Sequence, residues 1–304
     1  MTYLRTIGEV IGFLLVCAVV IVKDIVKFFI PKRYKMKSIN GEIALVTGGG
    51  GGLGRLLSLR LANLGAIVVV WDINEAGIEE TVKLVRAAGG SCYGYVCDLC
   101  DREDIYKKAR IIKEEIGKTA KAFLPTMLEN KKGHIVSVAS LAGQVGIQKL
   151  VDYCTSKFAA MGFDEALRME LENEECNIHT TVVCPYFIRS TGMFDDVRAS
   201  YIPTLSPNVV ADRIVTAMRC NEKYAIIPGY LQILLALKWL FPWPCVAMFL
   251  RGLVQDASPS HPSFVTAATI NTKEMCTVPL SKDQNGAVIH QQLTRRVSSS
   301  ERKP

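Results

Sequence analysis

The sequence lacks three features that would assign it to other classes of protein. Its 304 residues contain no Asn-x-Ser/Thr sequon, which fits a domain that faces the cytosol. It has no long basic face interleaved with aromatic residues, so nucleic acid is not an expected partner. Its single Cys-x-x-Cys pair, Cys97 and Cys100, has no second pair at zinc-ligand spacing. We therefore expect reduced cysteines and no metal site.

An apolar segment near the N-terminus is followed by basic residues. Val10–Val22 is an unbroken apolar run that extends to Ile30, and a basic cluster occupies residues 32–37. A secretory signal peptide would have its basic residues before the apolar core. Residues 1–37 are therefore predicted to be a membrane anchor, spanning or interfacial, that leaves the next domain in the cytosol. The alternative is a buried core helix, which would need a larger protein to cover it.

Two segments at the other end of the chain also differ from an ordinary globular sequence. Residues 230–255 are largely apolar but are interrupted by Lys238, Pro242 and Pro244, so a smooth span is not expected. This segment is predicted to dip into a membrane or to cover the substrate, with ordinary core packing as the alternative. The polar composition of residues 256–304 predicts a disordered tail.

Residues 38–229 alternate between short apolar, β-branched runs and segments with helical spacing. Strands are predicted at Ile43–Thr47, Ile67–Trp71, Ser91–Cys97, His134–Ala139, Ile178–Cys184 and Tyr224–Ile227. The alternation predicts an α/β fold of the Rossmann type, with a doubly wound parallel sheet. One break interrupts it, because two helical segments, residues 101–116 and 119–129, follow each other with no strand between them.

A glycine-rich loop, Thr47–Gly54, joins the first predicted strand to a helix. Gly48 permits a tight turn, Gly52 lets the backbone approach a pyrophosphate, and Gly54 lets the helix pack close to the strand. The helix N-terminus then faces the phosphate charge. The strand–loop–helix context favours a dinucleotide-binding loop over a plain flexible glycine linker.

Asp72, at the end of the second predicted strand, bears on the choice of dinucleotide. A carboxylate there can accept hydrogen bonds from the adenosine ribose hydroxyls, and it repels a 2′-phosphate. No Lys or Arg lies inside the glycine loop to offset that repulsion. NAD is therefore favoured over NADP. Asp72 could instead cap the helix that follows, and both roles can hold together.

A second set of residues predicts proton transfer. Ser140 follows a predicted strand, and Tyr153 and Lys157 lie one turn apart on one helix face. Tyrosine has an ordinary pKa of about 10 and is a poor base at neutral pH, but a nearby ammonium lowers that pKa. Ser140 can hold a substrate hydroxyl near Tyr153 while hydride leaves for a nicotinamide. This chemistry needs no metal.

Together these motifs resemble the short-chain dehydrogenase/reductase family. The resemblance is carried by Thr47–Gly54, Ser140, Tyr153-Cys154-Thr155-Ser156-Lys157 and Cys184-Pro185. Finer features resemble its membrane-associated branch of retinol and 17β-hydroxysteroid dehydrogenases; they are Val70–Asn74, Lys121–Met127, Gly133–Val136 and Thr191–Phe194. The branch implies a lipophilic alcohol or carbonyl substrate such as retinol or a steroid. It also implies a membrane location on the endoplasmic reticulum or lipid droplets, and it allows a homo-oligomer.

The resemblance assigns roles to individual residues. It makes Tyr153 the proton acceptor, Lys157 the residue that lowers its pKa and holds the nicotinamide ribose, and Ser140 the residue that positions the substrate. The implied cofactor-binding set is Thr47, Gly48, Gly52, Leu53, Gly54, Asp72, Asp98, Tyr153, Lys157, Pro185, Ile188 and Ser190. In this set, Asp98 contacts the adenine, Pro185 and Ile188 flank the nicotinamide, and Ser190 or its neighbour Thr191 offers a hydroxyl to the carboxamide.

One departure from the family pattern stands out. The family's Asn-Asn-Ala-Gly motif, which should follow Gly117 on the fourth strand, is absent, and Lys118–Lys121 follows at once. This is the break in the strand–helix alternation. The missing strand would leave two strand edges in the core unpaired. The alternative to an active dehydrogenase is therefore an impaired, membrane-bound remnant that arises from a splice variant or an imperfect gene model. A purely structural membrane adaptor would leave the catalytic set unexplained.

Overall fold

The computed structural model describes residues 2–115, 124–174, 176–189, 198–199 and 202–256. Its helices are α1 (Thr2–Phe29), α2 (Lys32–Lys35), α3 (Gly52–Asn63), α4 (Glu75–Ala87), α5 (Arg102–Glu115), α6 (Leu124–Glu129), α7 (Val151–Asn173), α8 (Pro207–Arg219), α9 (Leu231–Leu237) and α10 (Trp243–Leu253). Its strands are β1 (Ile43–Thr47), β2 (Ile67–Asp72), β3 (Cys92–Val96), β4 (Lys132–Val138), β5 (Asn177–Pro185), β6 (Arg198–Ala199), β7 (Tyr224–Ile227) and β8 (Val254–Asp256). A short 3₁₀ helix covers Leu141–Gly143.

Six of the strands form two parallel sheets of three strands each. The N-terminal half-sheet has the order β1-β2-β3, and the C-terminal half-sheet has the order β4-β5-β7. Among the described residues no ladder joins β1 to β4, and no strand lies between α5 and α6. The prediction of a Rossmann-type parallel sheet without its fourth strand is confirmed. The junction at Gly117–Lys118 itself lies outside the described residues.

The facing edges of the two half-sheets are less buried than the strands behind them. In β2, Val68, Val69 and Val70 have no exposed surface. In β1 only Val46 is buried, and no residue of β4 is buried. A strand in the middle of a doubly wound sheet is normally covered on both faces and both sides. No strand among the described residues covers the facing edges of β1 and β4, which explains their exposure.

Two helices on one face hold the half-sheets together. Val215 of α8 packs in the core of the N-terminal half-sheet, whereas Val210 and Ile214 of the same helix pack in the core of the C-terminal half-sheet. Arg60 of α3 donates a hydrogen bond to Asp212 of α8 at 2.5 Å. Because α8 buries apolar side chains against both half-sheets, it links them, although no backbone ladder between them is formed by the described residues.

Side chains also bridge the amino ends of β1 and β4. Lys132 Nζ lies 2.5 Å from Glu42 Oε1, and Lys37 Nζ lies 2.6 Å from His134 Nδ1. Burial lowers the pKa of His134 to about 3, so the ring is neutral and Nδ1 can accept from Lys37. His134 Nε2 then donates to Thr181 Oγ1 at 2.8 Å. These contacts connect the segment that follows the anchor to both half-sheets.

The two apolar segments of the chain are helical. Within α1, Arg5–Lys23 is long and apolar enough to cross a membrane, and none of it is buried against the rest of the described chain. Residues 230–255 form α9 and α10, separated by Lys238–Pro242, as expected from a segment that cannot be one smooth span. β8 at the end of this segment pairs with β6. The disorder predicted for the tail concerns residues beyond Asp256, outside the described part of the chain.

Candidate active site

A cavity of about 260 Å³ lies at the carboxyl ends of β1, β4 and β5. Its lining includes nine residues singled out from the sequence: Gly48, Gly52, Leu53, Gly54, Ser140, Tyr153, Lys157, Pro185 and Ile188. The glycine loop comes from the N-terminal half-sheet, and the other residues come from the C-terminal half. The two halves therefore face one cavity although their strands are not paired.

The glycine loop adopts a conformation that requires glycine at its ends. Gly48 has a φ of +67°, in the left-handed region that side chains disfavour. A Cβ on Gly54 would lie 2.2 Å from the Gly48 carbonyl oxygen, so α3 packs against the turn as the sequence predicted. α3 begins at Gly52, and its N-terminus opens on the cavity. A glycine cradle at a helix N-terminus suits a bound phosphate.

The carboxylate of Asp72 stabilises the glycine loop through a backbone hydrogen bond. Its Oδ2 accepts a hydrogen bond from Gly50 N at 3.0 Å, and its Oδ1 accepts one from Asn74 N at 3.0 Å. The cap of α4 is Asn74, whose Oδ1 accepts from Gly77 N at 3.1 Å. The alternative prediction that Asp72 caps this helix is therefore wrong, because the cap position lies two residues later, at Asn74. Asp72 does not line the cavity.

The sequence analysis missed Arg55, which holds the loop from the other side. Its guanidinium donates to Thr81 Oγ1 and to Gly50 O, both at 3.1 Å, and pairs with Glu80 at 2.7 Å. Thr81 is fully buried and donates to Gly49 O at 2.9 Å. A cation directly after the last glycine was the available signal, although two of its partners, Glu80 and Thr81, lie on α4 and could not be read from the loop.

Ser140, Tyr153 and Lys157 meet at one wall of the cavity. Ser140 Oγ accepts from Ala142 N at 3.2 Å, and its hydroxyl is hydrogen-bonded to Tyr153. Lys157 Nζ lies 5.5 Å from the centre of the Tyr153 ring and donates to the Val138 carbonyl at 3.2 Å. α7 holds the tyrosine and the lysine on one face, as the four-residue spacing predicted.

The acidity of Tyr153 depends on its burial and on its neighbours. Burial raises the pKa of the Tyr153 phenol above its ordinary value, and the hydrogen bond with Ser140 opposes that rise. Lys157 is not among the groups that set this pKa in the structure, and its lowering of the pKa of Tyr153 stays a prediction. The physical reason is that the lysine donates to Val138 O and lies beside the ring, while burial disfavours the phenolate. Burial also lowers the pKa of Lys157 itself.

Besides Asp72, three residues of the predicted cofactor set are not among those that line the cavity. Thr47 is exposed at the end of β1. Asp98 is exposed after β3, and its Oδ1 accepts from Cys100 N at 2.8 Å. Ser190, like Thr191, lies outside the described residues. Cys97 and Cys100 are free thiols, and the described ranges contain no cluster of side chains suited to a metal ion.

The remaining walls of the cavity are apolar. They include Leu141, Val145, Ile147, Tyr186, Phe187 and Leu250, none of which was selected from the sequence. The sequence alone cannot distinguish these single apolar residues from ordinary residues of the hydrophobic core. Tyr186 and Phe187 stack edge to face with ring centres 5.1 Å apart. Such walls suit a lipophilic ligand better than a charged one.

Fold and site together define an oxidoreductase of the Rossmann class, with a serine, a tyrosine and a lysine beside a dinucleotide loop. A sequence model of the family described as "short chain dehydrogenase" matches residues 42–119 and 117–202. The chain belongs to the short-chain dehydrogenase family. The two matched stretches meet at residues 117–119, where the sequence analysis located the missing strand.

Curated relatives confirm the predicted branch of the family. Short-chain dehydrogenase/reductase family 16C member 6 of Bos taurus is 39% identical, with 75% of this chain and 85% of the relative aligned. Epidermal retinol dehydrogenase 2 of Homo sapiens is 38% identical, with 68% and 80% aligned. Estradiol 17-beta-dehydrogenase 11 of Homo sapiens is 36% identical, with 83% and 95% aligned.

Solved structures support the fold. A short-chain dehydrogenase/reductase from Burkholderia phymatum, in complex with NAD, superimposes with a TM-score of 0.59 and 20% identity, over 67% of this chain and 95% of that one. A putative short-chain dehydrogenase from Novosphingobium aromaticivorans gives a TM-score of 0.58 and 21% identity, over 79% and 96%. Both half-sheets therefore retain the family's architecture.

Proposed function

We propose that this chain is a membrane-anchored, NAD-dependent dehydrogenase of lipophilic alcohols such as retinol or a steroid. The observation that carries the proposal is the single cavity lined by the glycine loop and by Ser140, Tyr153 and Lys157. The apolar walls of that cavity and the names of the relatives support the substrate class. α1 and the basic residues after it support an anchor whose domain faces the cytosol, on the endoplasmic reticulum or on lipid droplets.

The cavity suits a nicotinamide dinucleotide. Gly48, Gly52 and Gly54 would hold the pyrophosphate at the N-terminus of α3, and Pro185 and Ile188 would flank the nicotinamide. When bound, that group accepts the hydride in alcohol oxidation. Asp72 is held near the loop by Gly50 N, and its negative charge favours NAD over NADP.

The side chains of the cavity wall supply the proton chemistry. Ser140 would hold the substrate hydroxyl by a hydrogen bond, next to the Tyr153 oxygen to which it is already bonded. Tyr153 would take the hydroxyl proton. Lys157 would hold the nicotinamide ribose, and its ammonium would stabilise the tyrosinate on moving from Val138 O toward the phenol oxygen.

The test is alcohol oxidation by the full-length chain in vesicles that contain retinol and NAD. We expect NADH formation by the wild type and its loss in Tyr153→Phe, because phenylalanine cannot accept a proton. Tyr106→Phe, an exposed tyrosine on α5, is the matched control and should retain full activity. Turnover that survives Tyr153→Phe would refute the assigned base.

A second candidate is a membrane-bound remnant without activity. The observations that favour it are the unpaired facing edges of β1 and β4 and the raised pKa of Tyr153. This candidate requires that the wild-type chain be folded yet show no turnover with any alcohol offered and no stabilisation by NAD. Either turnover or stabilisation by NAD would count against it.

A further inference from the structure

We propose that α9, α10 and the turn between them form a second membrane contact, separate from α1, through which substrate enters the cavity from the lipid phase. The contact is the α9–α10 apolar surface, defined by Ile233, Trp239, Leu240, Phe241, Trp243 and Met248. The route of entry rests on the proposed function; the membrane contact itself does not.

The α9–α10 apolar surface is the exposed side of two helices whose other side packs against the domain. Trp239, Leu240 and Met248 are 83%, 77% and 73% exposed. On the opposite side of the same helices, Leu231 is 2% and Val246 is 7% exposed. The helices are thus fixed to the domain from within and display large apolar side chains outward. Contiguous apolar patches of this kind on a protein surface mark a contact with a membrane or with a partner protein.

The charges near this surface favour a membrane, rather than a second copy of this chain, as its binding partner. From Tyr224 to Gln255 the sequence contains no Asp or Glu, and its only ionic residues are Lys238 and Arg251. A second copy would bring like charges together across the apolar face, whereas lipid headgroups supply the opposite charge. Tryptophan also suits the boundary between headgroups and acyl chains, since its ring is apolar and its N–H is polar.

Lys238 fixes the orientation of this surface relative to the cavity. Its Nζ lies 5.0 Å from the Trp239 ring centre and donates to Gln144 O at 2.9 Å. Gln144 follows the 3₁₀ helix that lines the cavity, and Leu250 of α10 lines the cavity directly. The outer face of these elements is therefore apolar surface, and their inner face is cavity wall. In the proposed route, a lipophilic molecule dissolved in the bilayer enters the cavity along these elements.

α1 makes the second contact easier to form. Once a first segment is in the bilayer, the surface is held close to the same membrane at a high effective concentration. Interfacial helices of this kind bury their apolar face about 5–10 Å into the boundary region. The α9–α10 apolar surface has the matching arrangement, with exposed aromatic and aliphatic residues and no acidic residue.

The chain offers its own fluorescent reporters for the test. It has three tryptophans, and α1 has none. Trp71 is 1% exposed in the core of the N-terminal half-sheet, whereas Trp239 and Trp243 both belong to the proposed contact. The experiment reconstitutes the full chain into vesicles of phosphatidylcholine and phosphatidylserine, with and without phosphatidylcholine brominated in the upper acyl chain. Bromine quenches an indole only when the two are in contact.

We expect brominated lipid to remove most of the wild-type emission from Trp239 and Trp243, with a blue-shifted spectrum. The double variant Trp239→Phe/Trp243→Phe retains only Trp71 and should not be quenched, which provides the matched control. Emission that stays red-shifted and unquenched would overturn the proposal, because the surface would then lie in water. A blue-shifted but unquenched spectrum would also overturn it, because a second copy or another protein would cover the surface.

The route of entry has its own measurement. In Leu240→Glu we expect the KM for vesicle-dissolved retinol to rise several-fold, with kcat and the KM for a short water-soluble alcohol unchanged. Met169→Glu, at an exposed position of α7 outside the surface, should change neither. An unchanged KM for retinol in Leu240→Glu would refute the route. If the wild type has no turnover, the proposed function fails, and the quenching result still decides the membrane contact.

Discussion

At the scale of single residues, the acidity of Tyr153 governs what the site can do at neutral pH. Burial raises the pKa of its phenol and the hydrogen bond with Ser140 lowers it. In the proposed mechanism the tyrosinate is the base, so only the ionised fraction is active in oxidation, and this fraction grows as pH rises toward the pKa. We therefore expect the rate of alcohol oxidation to increase with pH through the neutral and alkaline range.

Substitution of Ser140 tests that balance. Ser140→Ala removes the hydrogen bond that stabilises the tyrosinate, so the alkaline limb of kcat/KM should move to higher pH. The same change should lower kcat/KM at every pH, because the substrate hydroxyl loses a partner. Ser156→Ala removes an exposed hydroxyl that donates to Tyr153 O, a backbone carbonyl of the same helix, and should leave the profile unchanged. Identical limbs in wild type and Ser140→Ala would contradict this account.

The glycine loop offers a second test at the residue scale. In Gly54→Ala the new Cβ would lie 2.2 Å from the Gly48 carbonyl oxygen and 2.8 Å from Gly49 Cα, both backbone atoms that cannot yield easily. We expect a loss of about 3 kcal/mol, at the upper end of the usual cost of overpacking. Thermal unfolding of the variant should begin well below that of the wild type.

Gly51→Ala is the control for this substitution within the same loop. Its Cβ would meet nothing closer than Gly48 O at 3.6 Å, which is an ordinary contact, and the backbone of Gly51 is extended. The melting temperature of Gly51→Ala should therefore stay close to that of the wild type. Equal melting temperatures for both variants would mean that α3 does not pack against the turn as the structure describes.

At the scale of elements, the edges of β1 and β4 determine which parts of the core are least protected. Each has hydrogen-bonding groups on the side that faces the other half-sheet, and no ladder among the described residues uses them. In β2 and β5 both sides are paired. We expect the amides of β1 and β4 to exchange with deuterium much faster than those of β2 and β5, because their opening needs no neighbouring strand to separate.

Hydrogen exchange with mass spectrometry on the full-length chain measures this difference. Peptides that cover Ile67–Asp72 and Asn177–Pro185 serve as internal controls, since they belong to the central strands of the two half-sheets. Equal protection of the edges and of these central strands would show that another segment or another chain covers the gap.

The sequence predicted individual elements better than their assembly. The bounds of β1 and β7 match their predictions because β-branched runs and flanking polar residues are local signals. The break in strand–helix alternation was also local, and it identified the missing strand. What joins the half-sheets was not predicted, because Val210, Ile214 and Val215 contact residues far away in the sequence. The raised pKa of Tyr153 was missed for the same reason, since burial is a property of the fold.

At the scale of the whole molecule, the cavity joins two halves that lack a common sheet. A dinucleotide bound along it would contact the glycine loop on one half and Lys157 on the other. A ligand that binds only the folded state stabilises it by about 2.7 kcal/mol at a hundred times its Kd. We therefore expect NAD to raise the melting temperature of the full chain, and NADP to raise it less because of Asp72.

Differential scanning fluorimetry with a series of NAD concentrations gives this measurement. Asp72→Ser should reduce the preference for NAD over NADP, since it removes the charge that repels a 2′-phosphate. A melting temperature that is independent of NAD would favour the inactive remnant.

The packing of α8 on both half-sheets also has a consequence for the order of events during synthesis. Synthesis of the three strands of the N-terminal half-sheet is complete at Val96. Synthesis of α8, the helix that covers them, is complete only at Arg219. At a translation rate of about 5–20 residues per second, the apolar face of the nascent half-sheet waits several seconds or more for that cover. During this interval we expect the growing chain to need a chaperone to keep the apolar face from aggregating.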